Sequence, residues 1–193
     1  MSARTPTMPT RRLLLAVLGA LALGGTAAAS EQPDRAALFR RLRNAQTERE
    51  GRMAEDAVWR MWMAEAPTEA VREAVAEAMR RRESYDFDRA LAILDRTVAD
   101  APAYAEGWNQ RAFIRFLKDD FDGSLEDIER TLALEPLHFA ALAGKAMILM
   151  RQGRMELGQA ALRQAVAIHP WLKERSMLIP VPGEIPPGPG KDI

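Results

Sequence analysis

The chain has 193 residues, of which 48% are apolar and 28% are charged, and it contains 27 basic residues, 27 acidic residues and no cysteine. This length and composition predict one packed domain or one short repeat array, and they argue against a disordered or fibrous chain. The lack of cysteine excludes disulfides, thiolate catalysis and cysteine-ligated metal centres. The balanced charge provides no overall attraction to nucleic acid.

Residues 1–30 have the three-part pattern of a secretory signal. Arg11 and Arg12 precede the apolar run 13–23, and small residues follow that run. A membrane span needs roughly 20 apolar residues, so this run is too short to span a membrane. We therefore predict cleavage after Ala29 or Ser30, and a periplasmic mature protein without a stable membrane anchor.

The export route and the charge of the mature chain follow from the same segment. The pair Arg11-Arg12 also resembles a twin-arginine signal, which stays an alternative to the general secretory route that we favour. Removal of residues 1–30 takes away Arg4, Arg11 and Arg12 and leaves a mildly acidic mature chain. We expect no nucleic-acid partner.

Residues 31–67 are predicted to form two helices that do not fit the repeat described below. Their apolar residues fall on two helical stripes: Leu38, Phe39 and Leu42, then Met53, Ala57, Val58, Met61 and Trp62. Thr47, with Glu50 three residues later, has the pattern of a capping box at the start of the second helix. We interpret this segment as an N-terminal capping hairpin, with a degenerate fourth repeat as the alternative.

Three equally spaced prolines define an internal repeat. Pro102, Pro136 and Pro170 divide the chain into the windows 71–104, 105–138 and 139–172. Small residues recur at the eighth and twentieth positions of the windows, where they allow two helices to approach closely. These residues are Ala78, Ala112 and Ala146 at the eighth position, and Ala90, Ser124 and Gly158 at the twentieth. Each window is predicted to form a helix, a tight turn and a second helix that ends before its proline.

These windows resemble the tetratricopeptide repeat (TPR) family, and the middle window, with Trp108 at its fourth position, is the most similar. The resemblance implies an all-α fold, a right-handed superhelical stack of antiparallel helix pairs. The seventh position, usually leucine, holds Glu77, Arg111 and Lys145, and the eleventh, usually aromatic, holds Arg81, Arg115 and Leu149. These departures predict looser packing within the helix pairs.

The resemblance also implies a binding surface on the first helix of each repeat. The positions that line the concave face in this family correspond to a candidate peptide-binding groove formed by Met79, Arg82, Asn109, Phe113, Phe116, Met147 and Met150. Methionine and phenylalanine at such positions suit an apolar or amphipathic peptide. The alternative is that these side chains pack against the N-terminal hairpin or against one another.

Residues 173–193 lack a full capping helix, because prolines fill the segment after Ile179. We predict a short cap followed by a Pro-rich flexible tail. Either the short segment around Trp171, Met177 and Leu178 covers the last repeat, or that face is the contact of a homo-oligomer.

The sequence shows no catalytic or metal-binding pattern. His138 and His169 stand alone beside prolines, and we interpret both as surface residues. Residues 118–129 imitate a calcium loop, but Lys118 stands where the first carboxylate ligand is required. We therefore predict no catalytic residue, no cofactor and no metal.

The sequence predicts a periplasmic scaffold, not an enzyme, that binds a peptide or another protein on its concave TPR surface, with a role in envelope protein assembly. The alternatives are a regulatory or accessory subunit of an envelope enzyme, and a self-assembling structural protein.

Overall fold

The structure is a computed structural model, and it describes residues 34–181 and residue 183. Within these residues it contains α-helices and one short 3-10 helix, and no strand. The helices are α1 (Arg35–Arg43), α2 (Glu48–Ala64), α3 (Glu69–Glu83), α4 (Phe87–Asp100), α5 (Ala105–Leu117), α6 (Phe121–Leu134), α7 (Phe139–Arg151) and α8 (Met155–Ile168), followed by the 3-10 helix η1 (Lys173–Met177). All described residues belong to one folded unit. The predicted signal segment 1–30 and the tail beyond residue 183 lie outside the described residues.

The helices α3 to α8 form three consecutive antiparallel pairs, one for each predicted window. The second helices of the pairs begin at the equivalent positions Phe87, Phe121 and Met155. Each ends two residues before a repeat proline, and the residue between has an extended ψ between 63° and 89°. The proline ring excludes the helical conformation from the residue before it, so the proline determines where the second helix stops.

The turn within each pair contains a left-handed residue at an equivalent position. Tyr85, Asp119 and Gly153 have φ values of 61°, 61° and 76°. In each turn the next residue's N–H donates to the carbonyl five residues earlier, as from Arg154 to Leu149 at 2.9 Å. This bond satisfies a carbonyl that the helix end leaves free, so the turn reverses the chain without an unpaired backbone group.

The small residues predicted to bring the paired helices together lie at their contact. Ala78, Ala112 and Ala146 and their partners Ala90, Ser124 and Gly158 are all buried. The Ser124 hydroxyl donates to the carbonyl of Ala112 at 2.8 Å. A Cβ at Gly158 would come within 2.4 Å of the Met150 side chain and 3.0 Å of the carbonyl of Ala146. The third pair therefore has no room for a side chain at position 158.

We expect Gly158→Ala to lower the free energy of unfolding by about 1 to 3 kcal/mol, because the added methyl overpacks the α7–α8 contact. Gly144→Ala is the matched control, since a Cβ there would meet only Ile128, at 3.5 Å. The control should be neutral or stabilising by up to about 1 kcal/mol through helix propensity. Urea denaturation of both variants measures the difference, and equal effects would refute the packing argument.

Charged residues at the seventh and eleventh positions do not leave the middle pair loose, contrary to our prediction. Arg111 donates to both carboxylate oxygens of Asp127, at 2.9 and 2.7 Å, and Arg115 lies 3.1 Å from the same carboxylate. Asp127 is 1% exposed. This hydrogen bonding raises the pKa of Arg111 above its usual value. A buried ionic cluster thus replaces the usual leucine and aromatic residue between α5 and α6.

The N-terminal hairpin does not cap the first repeat as predicted. Leu38 and Phe39 of α1, with Val58 and Trp62 of α2, share an apolar cluster with α7 and α8 of the third repeat. Only the end of α2 reaches the first repeat, where Met63 packs against its core. Thr47 accepts from the N–H of Glu50 at 3.2 Å as predicted, and the Glu50 carboxylate accepts from the N–H of Gln46 at 2.8 Å.

The end of the stack, for which we left two alternatives, is covered by this chain. The side chain of Gln159 on α8 donates to the carbonyl of Met177 at 2.9 Å and accepts from the N–H of Ile179 at 2.8 Å. Leu178 packs against the same apolar cluster as α1. These contacts are those of a short segment that covers the last repeat.

Candidate binding site

The helix α2 crosses the three repeats along the points where one repeat passes into the next. The last residues of the three windows lie at these points. They are Tyr104, His138 and Leu172, and we call them the junction row. Met63 accepts from the Tyr104 hydroxyl at 3.8 Å. Trp59 and Trp62 contact the ring of His138.

The start of α2 meets the last position of the junction row. Trp171, next to Leu172, donates from its indole N–H to the carbonyl of Ala45 at 2.9 Å. Gly51 lies so close to Trp171 that a Cβ there would be 2.7 Å from the tryptophan side chain. α2 therefore runs from the third repeat to the first, across the beginnings of the first helices of the repeats.

The central contact of α2 is a stacked pair of rings above a buried polar network. The rings of Trp62 and His138 are 4.0 Å apart and 5° from parallel. His138 Nδ1 accepts from the N–H of Ala141 at 3.2 Å, so the ring proton lies on Nε2, which donates to Glu106 at 3.0 Å. His138 is 0% exposed and Glu106 is 1% exposed. The surface position that we predicted for His138 is therefore wrong.

A second carboxylate joins α1 and α2 to the end of α6. The indole N–H of Trp62 donates to Glu135 at 3.3 Å, and Arg35 forms an ion pair with the same side chain. Glu135 also accepts from the N–H of Leu137 at 2.9 Å. Glu135 is buried, and these donors occupy both of its oxygens.

His169 is also buried, where we predicted a surface residue. Its Nε2 lies 3.2 Å from the carboxylate of Glu55 on α2, while its Nδ1 has no hydrogen-bond partner. The hydrogen bond with His169 lowers the pKa of Glu55, and partial burial opposes that shift. The Glu55–His169 pair fastens α2 to the end of the third repeat.

We expect Glu55→Gln to be less stable than the wild-type protein at pH 7, with a difference that disappears as the pH falls below about 4. A carboxylate whose pKa is lowered by folding stabilises the fold above its unfolded pKa, and this stabilisation is lost as the pH falls through the folded value. Urea denaturation of both proteins at pH 7, 5 and 3.5 measures it. A difference that does not change with pH would contradict the role of the Glu55 charge.

Beside α2, the first helices of the three repeats line an open groove of about 690 Å³. We call this space the groove; its floor carries Met79 of α3, Phe113 and Phe116 of α5, and Met147 of α7. Glu48, Arg52, Glu55 and Trp59 of α2 form one wall, and Trp171, Lys173 and Glu174 close one end. Phe113 is 39% exposed, an unusual exposure for an aromatic ring on a helix that faces other helices.

The structure brings six of the seven predicted groove residues together. Met79, Arg82, Asn109, Phe113, Phe116 and Met147 line the groove. Met150 does not: it packs over Gly158, and its sulfur accepts from Gln159 at 3.3 Å. Because Gly158 has no side chain, Met150 can pack against α8 at this position. The position of Met150 within its repeat does not reveal this contact.

The N-terminal hairpin covers part of the face formed by these helices. Val75 and Ala143 lie in the apolar clusters that α2 joins, and Ala143 also lines the groove together with Phe113 and Met147. The hairpin therefore buries part of this face and leaves another part open.

The polar side chains on the floor of the groove are engaged within the protein. Asn109 and Gln110 both donate to Glu106, Gln110 at 2.6 Å. Arg82 donates to Gln110 at 2.9 Å, and its guanidinium lies 5.0 Å from the centre of the Phe113 ring. The groove therefore presents apolar surface with a polar rim, a composition typical of peptide-binding sites.

The remaining residues of the repeat pattern are Trp108 and the three prolines, and none of them lines the groove. Trp108 donates to the carbonyl of Pro102 at 3.0 Å and lies against Arg111. Pro102 and Pro136 are exposed and Pro170 is half-buried, because these residues end helices and fill no core.

The described residues include no group of three or more histidine, cysteine or acidic side chains placed to hold a metal ion. Most of the segment that imitates a calcium loop forms the start of α6, so its carboxylates are spread along a helix. Among the described helices none is both long and apolar enough to cross a membrane.

Comparison with known proteins found a significant similarity to another repeat protein. The chain is 42% identical over 81 residues to a TPR repeat-containing protein of Rhizobium etli. The match covers 42% of this chain and 40% of that relative, so it spans well under half the length of either protein. No protein-family model matches the chain.

Proposed function

We propose that this chain, whose repeats are similar to those of a tetratricopeptide repeat protein, is a periplasmic scaffold that binds a segment of a partner protein in the groove. Stacks of these repeats act in general as non-catalytic scaffolds for protein–protein interaction. The observation that carries the proposal is the open apolar floor, with exposed Phe113 and half-buried Met147, bounded by α2. An apolar surface rimmed by polar residues is typical of a binding site.

The location and the role in envelope assembly rest on the sequence of residues 1–30. The basic pair, the short apolar run and the small residues before position 31 support export and cleavage. The intact mass of the protein recovered from the periplasmic fraction should correspond to a chain that begins at Ser30 or Glu31. Recovery of the uncleaved chain from the cytoplasm would refute the periplasmic location, but it would not affect the proposal that the groove binds a partner.

We expect the double variant Phe113→Ala/Met147→Ala to lose at least about 90% of the partner captured by the wild-type protein from an extract of its own cells. Loss of two apolar contacts at the centre of a site typically weakens binding by about 2 kcal/mol or more, which is over tenfold. Quantitative mass spectrometry of the captured proteins measures the loss.

The matched control is Met155→Ala/Leu157→Ala, which likewise removes two apolar side chains, both exposed, but lies on α8, outside the groove. This control should retain the partner, and both variants should melt within a few degrees of the wild-type protein. A partner that binds all three proteins equally would show that the groove is not the site.

A further inference from the structure

We propose that the α1–α2 hairpin carries a second binding site, for the phosphate headgroups of an anionic phospholipid membrane. The site is a cavity of about 540 Å³ between α1 and the start of α2, and none of the residues that line it lines the groove. Three features carry the proposal: the charge of the hairpin, the lining of the cavity and an exposed methionine in that lining. The site and the groove are separate, so either can fail without the other.

The hairpin concentrates positive charge in a chain that is otherwise acidic. Residues 35–53 contain six arginines against two glutamates, whereas residues 54–193 contain 18 basic residues against 23 acidic ones. A charged lipid surface acts on the groups within about 10 Å of it, which is the Debye length in about 0.1 M salt. The local excess of arginine therefore attracts such a surface to this hairpin, although the chain as a whole has no net charge.

Most arginines of this part of the hairpin have no counter-charge within the protein. Among the described residues, none forms an ion pair with Arg41, Arg43 or Arg49. Arg40 lies 3.5 Å from Asp34, but these side chains are 63% and 65% exposed, and ion pairs between exposed groups are weak. The guanidinium groups are therefore available to an anion outside the protein.

The cavity places two of these arginines beside each other on a helix face that takes no part in the core. Its lining follows the helical spacing on each side, with Ala37, Arg40, Arg41 and Asn44 on α1, and Glu50, Met53 and Ala54 on α2. The core face of α1 is formed by Leu38, Phe39 and Leu42. A guanidinium donates to two phosphate oxygens at once, and the volume of the cavity is within the range of small-molecule sites.

The acidic residue in the lining is partly engaged within the hairpin. The Glu50 carboxylate accepts from the N–H of Gln46 at 2.8 Å, as part of the capping box of α2. The two arginines that line the cavity outnumber this single carboxylate, so the cavity favours an anion over a cation.

The helix dipole alone does not explain this surface. The arginines in the last turn of α1 are favoured there by the negative end of the helix. Arg49, in contrast, lies in the first turn of α2, where the dipole disfavours a positive charge. Met53, one turn farther on the same side of α2, is 58% exposed.

Arginines beside an exposed apolar side chain fit a membrane surface. The cations bind the phosphate groups of anionic lipids, and the apolar side chain enters the boundary between headgroups and acyl chains. An acidic peptide would engage the arginines alone. Binding by a few arginines and one methionine is reversible and is not a stable anchor.

The test is cosedimentation of the protein, as isolated from its own cells, with vesicles of phosphatidylglycerol and phosphatidylcholine in equal amounts. Vesicles of phosphatidylcholine alone measure any binding by the rest of the chain. Arg40→Gln/Arg41→Gln should bind the anionic vesicles about 30-fold more weakly than the wild-type protein, since each basic residue at such a surface contributes about fivefold. Wild-type binding should disappear in about 1 M salt, where the Debye length is about 3 Å.

Two matched controls separate the site from general surface properties. Arg96→Gln/Arg154→Gln removes the same charge from exposed positions outside the hairpin and should bind as the wild-type protein does. Met53→Ser should weaken binding about fivefold through the loss of its apolar contact, whereas Met155→Ser, at a residue 45% exposed on α8, should have no effect. Thermal melting should show all four variants folded, because the substituted side chains are exposed.

The outcomes decide between a membrane and other anions. Salt-sensitive binding that is weakened by the changes in the hairpin and not by the controls supports the proposal. Equal weakening by both arginine pairs, or no binding to the anionic vesicles, overturns it. Calorimetric binding of soluble glycerol phosphate or of polyglutamate, without binding to vesicles, replaces the membrane with a free phosphate or an acidic peptide. Phe113→Ala/Met147→Ala should bind vesicles as the wild-type protein does, which separates this test from that of the groove.

Discussion

Trp62→Ala should lower the free energy of unfolding by roughly 3 to 5 kcal/mol, in the range measured for large aromatic side chains in cores. Trp62 is 1% exposed, stacks on His138 and lies with its ring 5.2 Å from that of Phe139. It also donates a hydrogen bond to Glu135. Because the whole free energy of unfolding of a domain is typically about 5–15 kcal/mol, this single change removes a large part of it.

The loss should be concentrated in the N-terminal hairpin. Amide hydrogen exchange should show α1 and α2 losing protection first, while α3 to α6, whose cores are made mainly by residues of the repeats, keep most of theirs. Trp62→Phe is the conservative control, since it keeps an aromatic ring in the core and loses the indole N–H with part of the ring, and it should cost less than Trp62→Ala, about 1 to 2 kcal/mol. Loss of protection spread evenly over all eight described helices would contradict a hairpin that is fastened mainly by this residue.

We expect Asp127→Ala to lower the free energy of unfolding by about 3 kcal/mol, because the change leaves Arg111 and Arg115 without their shared counter-charge inside the α5–α6 pair. The value is at the low end for buried ion pairs, since the two arginine side chains are 13% and 20% exposed and retain some contact with water. Urea denaturation measures it.

The double variant Arg111→Leu/Asp127→Ala should be more stable than Asp127→Ala alone. It removes the stranded charge and places the leucine that repeats of this family usually have at that position, while Arg115 keeps its hydrogen bond to the carbonyl of Gly123 at 2.9 Å. Replacement of a buried ion pair by apolar side chains is often nearly neutral. If the two changes were simply additive, the cluster would not be a coupled buried pair.

The sites of Trp62 and Asp127 differ in how much of their contacts can be predicted from the position of a residue within its repeat. The contacts of Asp127 lie within one helix pair, and opposite charges at its seventh, eleventh and twenty-third positions were visible in the sequence. The contacts of Trp62 join residues more than 70 positions apart. Register places the charges of the first kind of contact in one helix pair, although we did not predict their pairing from it, and it gives no information on the second kind.

The two histidines illustrate the same limit. Each was visible only as a lone residue beside a proline, and the acids that bind them, Glu106 and Glu55, lie 32 and 114 positions away. The position of His138 in the junction row was a usable signal, because that column is apolar or aromatic in the other two repeats, with Tyr104 and Leu172. A polar residue at a repeat position that is apolar or aromatic in the other repeats is therefore itself expected to be buried.

The sequence by itself determined the all-α repeat stack, the limits of its helix pairs and most of the candidate groove, because these depend on local geometry that recurs in every window. Proline ended each second helix, small residues set the approach of each pair, and the resemblance to tetratricopeptide repeats implied that Phe113 and Met147 lie on one face. Only the tertiary structure decided where the N-terminal hairpin lies. Its apolar stripes required a partner surface without specifying which one, and α2, at about 25 Å, is long enough to cross the three repeats and pack against the third. That crossing buried part of the concave face in the core and left another part as an open groove.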